Sequence, residues 1–149
     1  MAEFRRVLEK DPGFVRAYAF LGVSLSYLQR HDEAIEMGRV GAERSNQHAM
    51  LLLPLGLSLA RAGQLAEARK TFDSIFSGLT PIYQAAALAM LGEESAAIDA
   101  LEKAPAARSD WMYSVGRQPW FGGLHSNPRF VRLVESLGLP GPRRISPST

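Results

Sequence analysis

The sequence predicts an all-α protein built from consecutive antiparallel helix pairs, and three observations lead to this prediction. Residues recur at a spacing of 34, as Phe4, Gly38 and Phe72 do. The segments between such positions carry apolar residues at three-and-four spacing, which is typical of amphipathic helices. Punctuating residues that break helices, such as Pro12 and Asn46, lie 34 apart as well. The pattern therefore indicates a short array of helical hairpins.

Composition excludes several classes of protein. The chain has 149 residues, 46% of them hydrophobic and 21% charged, which is typical of a globular protein. It contains no cysteine, which excludes disulfides and thiolate zinc sites and predicts a reducing, cytoplasmic location. The formal charge of +2 does not favour nucleic acid as a partner. The longest apolar run, residues 50–60, contains Pro54 and is too short to cross a membrane, so no membrane partner is expected.

The first element, residues 1–14, is a half repeat. Its sequence AEFRRVLEKDPG matches the second helix of a pair and the closing turn, with no first helix before it. Phe4, Val7 and Leu8 would then lack half of their usual partners. Either the chain is the C-terminal piece of a longer protein, or a second protomer covers this helix and the protein is a homodimer.

Two full repeats follow, at residues 15–48 and 49–80. Their apolar spacing predicts helices over residues 15–28 and 32–44 in the first, and 49–62 and 65–77 in the second. Gly38 and Gly41 should weaken the second helix of the first pair by about 1 kcal/mol each. Pro54 should kink the next helix or delay its start.

The third repeat, residues 81–104, is shorter. Gly63 corresponds to Gly92 at an offset of 29, so about five residues are missing before its first helix. Thr80 is a suitable N-cap, and Pro81 is tolerated at the first helical position. Helices are predicted over residues 82–91 and 94–103.

The C-terminal region, residues 105–140, is unlike a repeat and is predicted to cap the array. Asn127-Pro128 should start a helix over residues 128–137, and Gly138 should end it. The apolar stripe of this helix and the preceding aromatic residues, Trp111 among them, are expected to seal the last repeat. A platform on which a ligand stacks is the alternative. The tail, residues 141–149, is expected to be disordered.

The repeat resembles the tetratricopeptide repeat. Five residues of the unit at 15–48 stand where that family has its signature: Tyr18, Leu21, Gly22, Leu25 and Ala34. The resemblance implies a right-handed superhelix of antiparallel helix pairs that binds proteins. Its small positions, such as Gly22 and Ala34, would let the two helices of a pair approach to about 8–10 Å.

The region from about residue 81 to 140 has a second resemblance, to the TPR arms that end certain bacterial multidomain regulators. These are winged-helix transcription activators, class III nucleotide cyclases and Ser/Thr kinases. The matching motifs are Ser109-Asp110-Trp111, Pro119-Trp120, Asn127-Pro128-Arg129-Phe130 and Leu137-Gly138-Leu139-Pro140. The resemblance implies a regulatory arm whose effector domain lies upstream of this chain.

In that family the first helix of each pair lines a concave groove, and this face is the candidate binding site. The residues at these positions are Arg16, Phe20, Val23, Tyr27, Met50, Leu53, Leu57, Arg61, Tyr83 and Met90. They form a mainly apolar surface with arginines at its edges, which suits a partner helix or a hydrophobic peptide. The lysine-and-asparagine clamp of chaperone-binding members is absent. The chain's own helix over residues 128–137 is an alternative occupant.

No catalytic constellation is evident. His31, His48 and His125 are not spaced as metal ligands, and there is no phosphate loop or nucleophile elbow. The paired carboxylates, such as Asp32-Glu33, lie in the first turns of predicted helices, where the helix dipole stabilises them. The sequence therefore predicts a non-enzymatic protein that requires no metal or cofactor.

Overall fold

The computed structural model describes residues 2–104 and 119–138, and every regular element in those ranges is helical. The chain divides into two compact units, Met1–Gly78 and Leu79–Thr149. The predicted all-α class is therefore confirmed for the described residues. The expectations for residues 105–118, which include Trp111, and for the tail at 141–149 lie outside the described residues.

The first unit contains five α-helices and a short 3₁₀ segment. The helices are α1 (Ala2–Lys10), α2 (Val15–Tyr27), α3 (His31–Arg44), α4 (Ala49–Arg61) and α5 (Leu65–Asp73), and the 3₁₀ segment is Phe76–Gly78. Each helix packs on the next one along the chain from α1 to α5, and α2 also packs on α4. This arrangement of packed helix pairs is compatible with a helical repeat.

Helix α5 is shorter than predicted, ending at Asp73 instead of residue 77. The hydroxyl of Ser74 donates to the carbonyl oxygen of Thr71 at 2.6 Å, and such bonds compete with the helical ladder. Ile75 is buried, so the chain turns inward here and continues as the 3₁₀ segment.

Equivalent turns follow α2, α4 and the first helix of the second unit. In each, one residue has a left-handed backbone, with φ of 64° at Gln29, 79° at Gly63 and 80° at Gly92. The next residue then donates its amide to a carbonyl oxygen five residues back. These pairs are Arg30–Leu25 at 3.0 Å, Gln64–Leu59 at 2.9 Å and Glu93–Leu88 at 2.9 Å. The offsets of 34 and 29 found in the sequence therefore mark repeated backbone geometry.

Small residues allow close contact within the first two helix pairs, as the sequence predicts for Gly22. A Cβ atom on Gly22 would lie 3.2 Å from the carbonyl oxygen of Ala34, across the α2–α3 contact. At the equivalent position, Gly56, it would overlap the ring of Phe72 on α5. A side chain at Gly56 would therefore force a rearrangement, whereas one at Gly22 would make a tight contact that a small shift could relieve.

Gly38 and Gly41 have a role that the sequence analysis missed. A Cβ atom on Gly38 would lie 3.2 Å from Cα of Leu55 on α4, and one on Gly41 would lie 2.8 Å from Cβ of Tyr18 on α2. Larger residues on the neighbouring helices therefore fill the space that side chains here would need. The two glycines lower the helix propensity of α3, as expected, but they also allow α3 to pack closely against α2 and α4.

Pro54 does not delay the start of α4, contrary to one of the two expectations. The helix begins at Ala49 and continues through the proline to Arg61. Proline costs about 3 kcal/mol in a helix interior. This cost is offset because α4 buries eight of its residues, including Leu51, Leu55 and Leu59.

The second unit contains α6 (Pro81–Met90), α7 (Glu94–Lys103), a 3₁₀ segment (Pro119–Leu124) and α8 (Pro128–Ser136). Its core joins these four elements through nine buried residues: Ala85, Ala86, Ala97, Ile98, Leu101, Phe121, Leu124, Phe130 and Val134. The apolar stripe of α8 thus packs against the last helix pair. The predicted capping role of the C-terminal helix requires a contact of this kind.

Polar contacts attach the start of α8 to α7. The side chain of Asn127 caps α8 by accepting from the Arg129 amide at 3.0 Å, and its Nδ2 donates to Glu94 at 3.1 Å. The Arg129 guanidinium donates to Asp99 at 2.7 Å and to both carboxylate oxygens of Glu102. The hydrogen bonds to Glu102, followed by those to Asp99, raise the pKa of Arg129 above its ordinary value.

Candidate protein-interaction surface

Helix α2 presents one face to the core and another to solvent. Ala17, Leu21 and Leu25 are buried against the neighbouring helices. On the other face, Phe20 is 56% exposed and Tyr27 is 42% exposed. Contiguous exposed apolar patches mark interaction sites more often than single exposed residues do, so the surroundings of Phe20 and Tyr27 decide whether this face is a candidate binding surface.

The predicted residues on α2 follow one another at helical spacing. Their order along the helix is Arg16, Phe20, Val23 and Tyr27. Val23 is half-buried, and the other three are exposed. The ring of Phe20 stacks on Phe4 of α1, with centroids 5.6 Å apart and planes inclined by 16°. This contact extends the apolar surface from α2 onto α1.

Helix α4 extends the surface in the other direction. Met50 is 47% exposed and Leu53 is half-buried. Leu57, although predicted on the same face, is only 6% exposed. Leu57 therefore contributes mainly to packing, and little of its side chain is accessible to a partner.

Arg61 links α4 to α2. Its guanidinium carbon lies 4.9 Å from the centroid of the Tyr27 ring, a cation–π contact worth about 0.5–1 kcal/mol at an exposed site. This contact holds Tyr27 in place and adds positive charge at the edge of the apolar surface. We call Phe4, Phe20, Tyr27, Met50 and Arg61 the α2–α4 surface.

Two of the predicted binding residues belong to the second unit. Tyr83 and Met90 both lie on α6 and are half-buried. The Tyr83 ring is 6.3 Å from that of Trp120, at an angle of 55°. Tyr83 therefore packs beside Trp120 of the 3₁₀ segment in its own unit.

The residues predicted to mediate self-association lie on α1. Phe4 and Leu8 pack against Leu21 and Leu25 of α2 and are half-buried, while Val7 is 36% exposed. Helix α1 buries none of its residues. Its apolar stripe is therefore only partly covered within the described structure.

Two of the three histidines, His48 and His125, make contacts within their own part of the fold. Nδ1 of His48 accepts from the Met50 amide at 3.2 Å and so caps α4, while His31 is the first residue of α3. His125 stacks on the ring of Phe130 with centroids 5.9 Å apart. Among residues 2–104 and 119–138, no group of three or more His, Cys, Asp or Glu residues could hold a metal ion.

One depression was not anticipated from the sequence. It has a volume of about 390 Å³ and lies among α1, α2 and α3, where Leu8, Leu21 and Met37 contribute apolar atoms and Glu9 and Glu36 contribute charge. These residues are spread over three helices, so no local motif identifies them. Their common feature in the sequence is the helical periodicity of each segment.

Comparison with known proteins adds no assignment. No protein-family model matches the chain, and no curated protein or solved structure shows significant similarity to it. Within the described ranges, no helix combines the length and the apolar character needed to cross a membrane.

Proposed function

We propose that this chain is a non-catalytic protein-interaction module of the tetratricopeptide-repeat type, which binds a partner helix or hydrophobic peptide on the α2–α4 surface. The observation that carries the proposal is the exposure of Phe20, Tyr27 and Met50 on two helices that pack together. Burying such aromatic and methionine side chains is a common source of affinity at protein interfaces.

The packing order of the first unit supports the repeat type. In a right-handed superhelix of this kind, each first helix contacts its own second helix and the first helix of the next pair. Helix α2 packs on both α3 and α4, and α3 packs on α4. The repeated turn geometry at Gln29, Gly63 and Gly92 also supports this assignment.

A display library of random 16-residue peptides tests the binding function. Peptides selected on the wild-type chain are measured by fluorescence anisotropy against Phe20→Glu and Tyr27→Glu. Leu65→Glu is the matched control, because Leu65 is a similarly exposed apolar residue on α5. We expect at least a tenfold loss of affinity in the two surface variants and little change in the control. Failure to select any peptide, or equal affinity for all variants, would contradict the proposal.

We further propose that the module is the C-terminal arm of a bacterial signalling or transcription regulator. The motifs around Pro119-Trp120 and Asn127-Pro128 support this, and Asn127 caps α8 while Trp120 lies beside Tyr83. The test is the gene sequence upstream of the codon for Met1. A reading frame that continues into an effector domain is expected, and an in-frame stop codon there would contradict the proposal.

Self-association is the second candidate function, because α1 buries none of its residues and leaves Val7 exposed. In this alternative, the chain is a free-standing adaptor that dimerises through Phe4, Val7 and Leu8. Light scattering should then detect a dimer that Val7→Lys dissociates. A monomer at all concentrations would contradict it.

A further inference from the structure

The depression among α1, α2 and α3 is a groove with an apolar floor. Helix α2 provides the floor through Tyr18, Leu21 and Leu25, all of which are buried. Helices α1 and α3 both pack on α2 and form the two banks, where Leu8 and Met37 are half-buried. We call this feature the α1–α3 groove.

The floor of the α1–α3 groove is covered, but Leu8 and Met37 on its banks remain partly accessible. Helix α1 is strongly amphipathic, with Phe4 and Leu8 directed at α2, yet it buries none of its residues. An amphipathic helix gains most of its stability from burying its apolar stripe against a neighbour. A ligand that covers Leu8 and Met37 would therefore stabilise α1, and the same apolar contact would contribute to the affinity of the ligand.

The charges at the rim are mostly negative. Arg5 on α1 forms an ion pair across the groove with Glu33 on α3, at 3.6 Å, and Arg30 also binds Glu33 at 2.6 Å. Glu9 and Glu36 form no ion pair within the described residues, although both are exposed. Each bank therefore carries one carboxylate that is available to a cation.

The negative charge continues along α3. A second depression, of about 260 Å³, lies on the other side of this helix and includes Asp32, Glu36 and Glu43. Arg39 also lines this depression, but its guanidinium forms an ion pair with Glu67 at 2.7 Å. Glu36 lines both depressions, so a ligand in the α1–α3 groove would meet an extended acidic bank on the α3 side.

We infer that the α1–α3 groove is a second docking site, and that its occupant is an amphipathic helix of a partner protein with lysine or arginine on both flanks of an apolar row. The apolar row would contact Leu8 and Met37, and the flanking cations would bind Glu9 and Glu36. A helix with acidic flanks would be repelled by the same rim. The groove borders the α2–α4 surface, since Phe4 stacks on Phe20 and also packs with Leu8 on Leu21 and Leu25. The inference does not rest on the function proposed for the α2–α4 surface.

The test uses two designed peptides of 14 residues. Both carry leucines at i, i+3, i+4 and i+7; one has lysines at the flanking positions and the other has glutamates. Fluorescence anisotropy at moderate ionic strength should show the lysine peptide binding at least tenfold more tightly. Amide chemical shifts of the labelled full chain should change at Leu8 and Met37. Equal affinity for both peptides would overturn the inference.

Charge-reversal variants test the location of the site. Glu36→Lys and Glu9→Lys should each weaken binding of the lysine peptide at least fivefold, whereas Glu135→Lys on α8 should not. Circular dichroism checks that the helices remain folded, and Glu36→Gln provides a milder second variant. Unchanged affinity in the Glu36 variants would overturn the inference.

Two further outcomes would assign the binding differently. If Phe20→Glu abolishes binding of the lysine peptide while Glu36→Lys does not, the peptide occupies the α2–α4 surface and the inference fails. If the wild-type chain is a dimer that Glu36→Lys dissociates, a second copy occupies the groove and the assignment to a separate partner fails. Because the two surfaces respond to different variants, failure of this inference is distinguishable from failure of the proposed function.

Discussion

Replacing Gly56 with alanine tests how closely α4 and α5 must approach. The new methyl group would lie 2.8 Å from Cδ1 and 3.0 Å from Cζ of Phe72. Phe72 is 1% exposed, so its ring cannot move into solvent. Alanine is favoured over glycine in a helix by about 1 kcal/mol, whereas overpacking a core costs about 1–3 kcal/mol. We therefore expect the free energy of unfolding to fall by up to about 2 kcal/mol.

Urea denaturation followed by circular dichroism measures this change. Gly78→Ala is the control in the same unit, because no atom lies within 4 Å of the position of its new Cβ. Phe72→Leu removes the ring atoms that cause the overlap, so the double variant should lose less stability than the sum of the single variants. A Gly56→Ala variant more stable than the wild type, or additive losses in the double variant, would show that the overlap with Phe72 does not limit the approach of α4 and α5.

Two other predictions concern the first turn and the last helix. Gln29→Gly should stabilise the protein by about 0.5–1 kcal/mol in the same denaturation assay, because Gln29 has φ of 64° where the equivalent residue of the next repeat is Gly63. Gln64→Gly, at φ of −83°, should give no such gain, and an equal gain would contradict this explanation. Arg129→Met should lower the midpoint of thermal unfolding at low ionic strength, because Arg129 binds carboxylates on α7. The difference in unfolding midpoint between the variant and the wild type should shrink in 1 M salt. A difference that does not depend on salt would indicate that lost packing, and not lost ion pairs, destabilises the variant.

Most helix bounds could be predicted because they depend on neighbouring residues. Apolar periodicity and end signals such as Asn127-Pro128 located α2, α3, α4, α6, α7 and α8 to within about one residue. The end of α5 was missed, since the bond from Ser74 to the Thr71 carbonyl competes with the helix in a way that periodicity does not reveal.

The candidate surface could be predicted only in part. Helical spacing grouped Phe20 with Tyr27, and both are exposed on α2. The same spacing grouped Leu57 with Met50, yet Leu57 is buried. Spacing identifies the face of a helix, whereas exposure depends on what packs against that face.

The all-α class, the spacing of the repeated turns and the positions of the helices follow from interactions between residues close in the chain, so the sequence predicts them. The small size of Gly38 and Gly41 and the carboxylates that share a groove are explained by the packing of several helices together. Glu9 and Glu36 are 27 residues apart and line the same groove only because α1 and α3 both pack on α2. Such contacts depend on the shapes of several helices together, and a pattern within any one segment does not contain them.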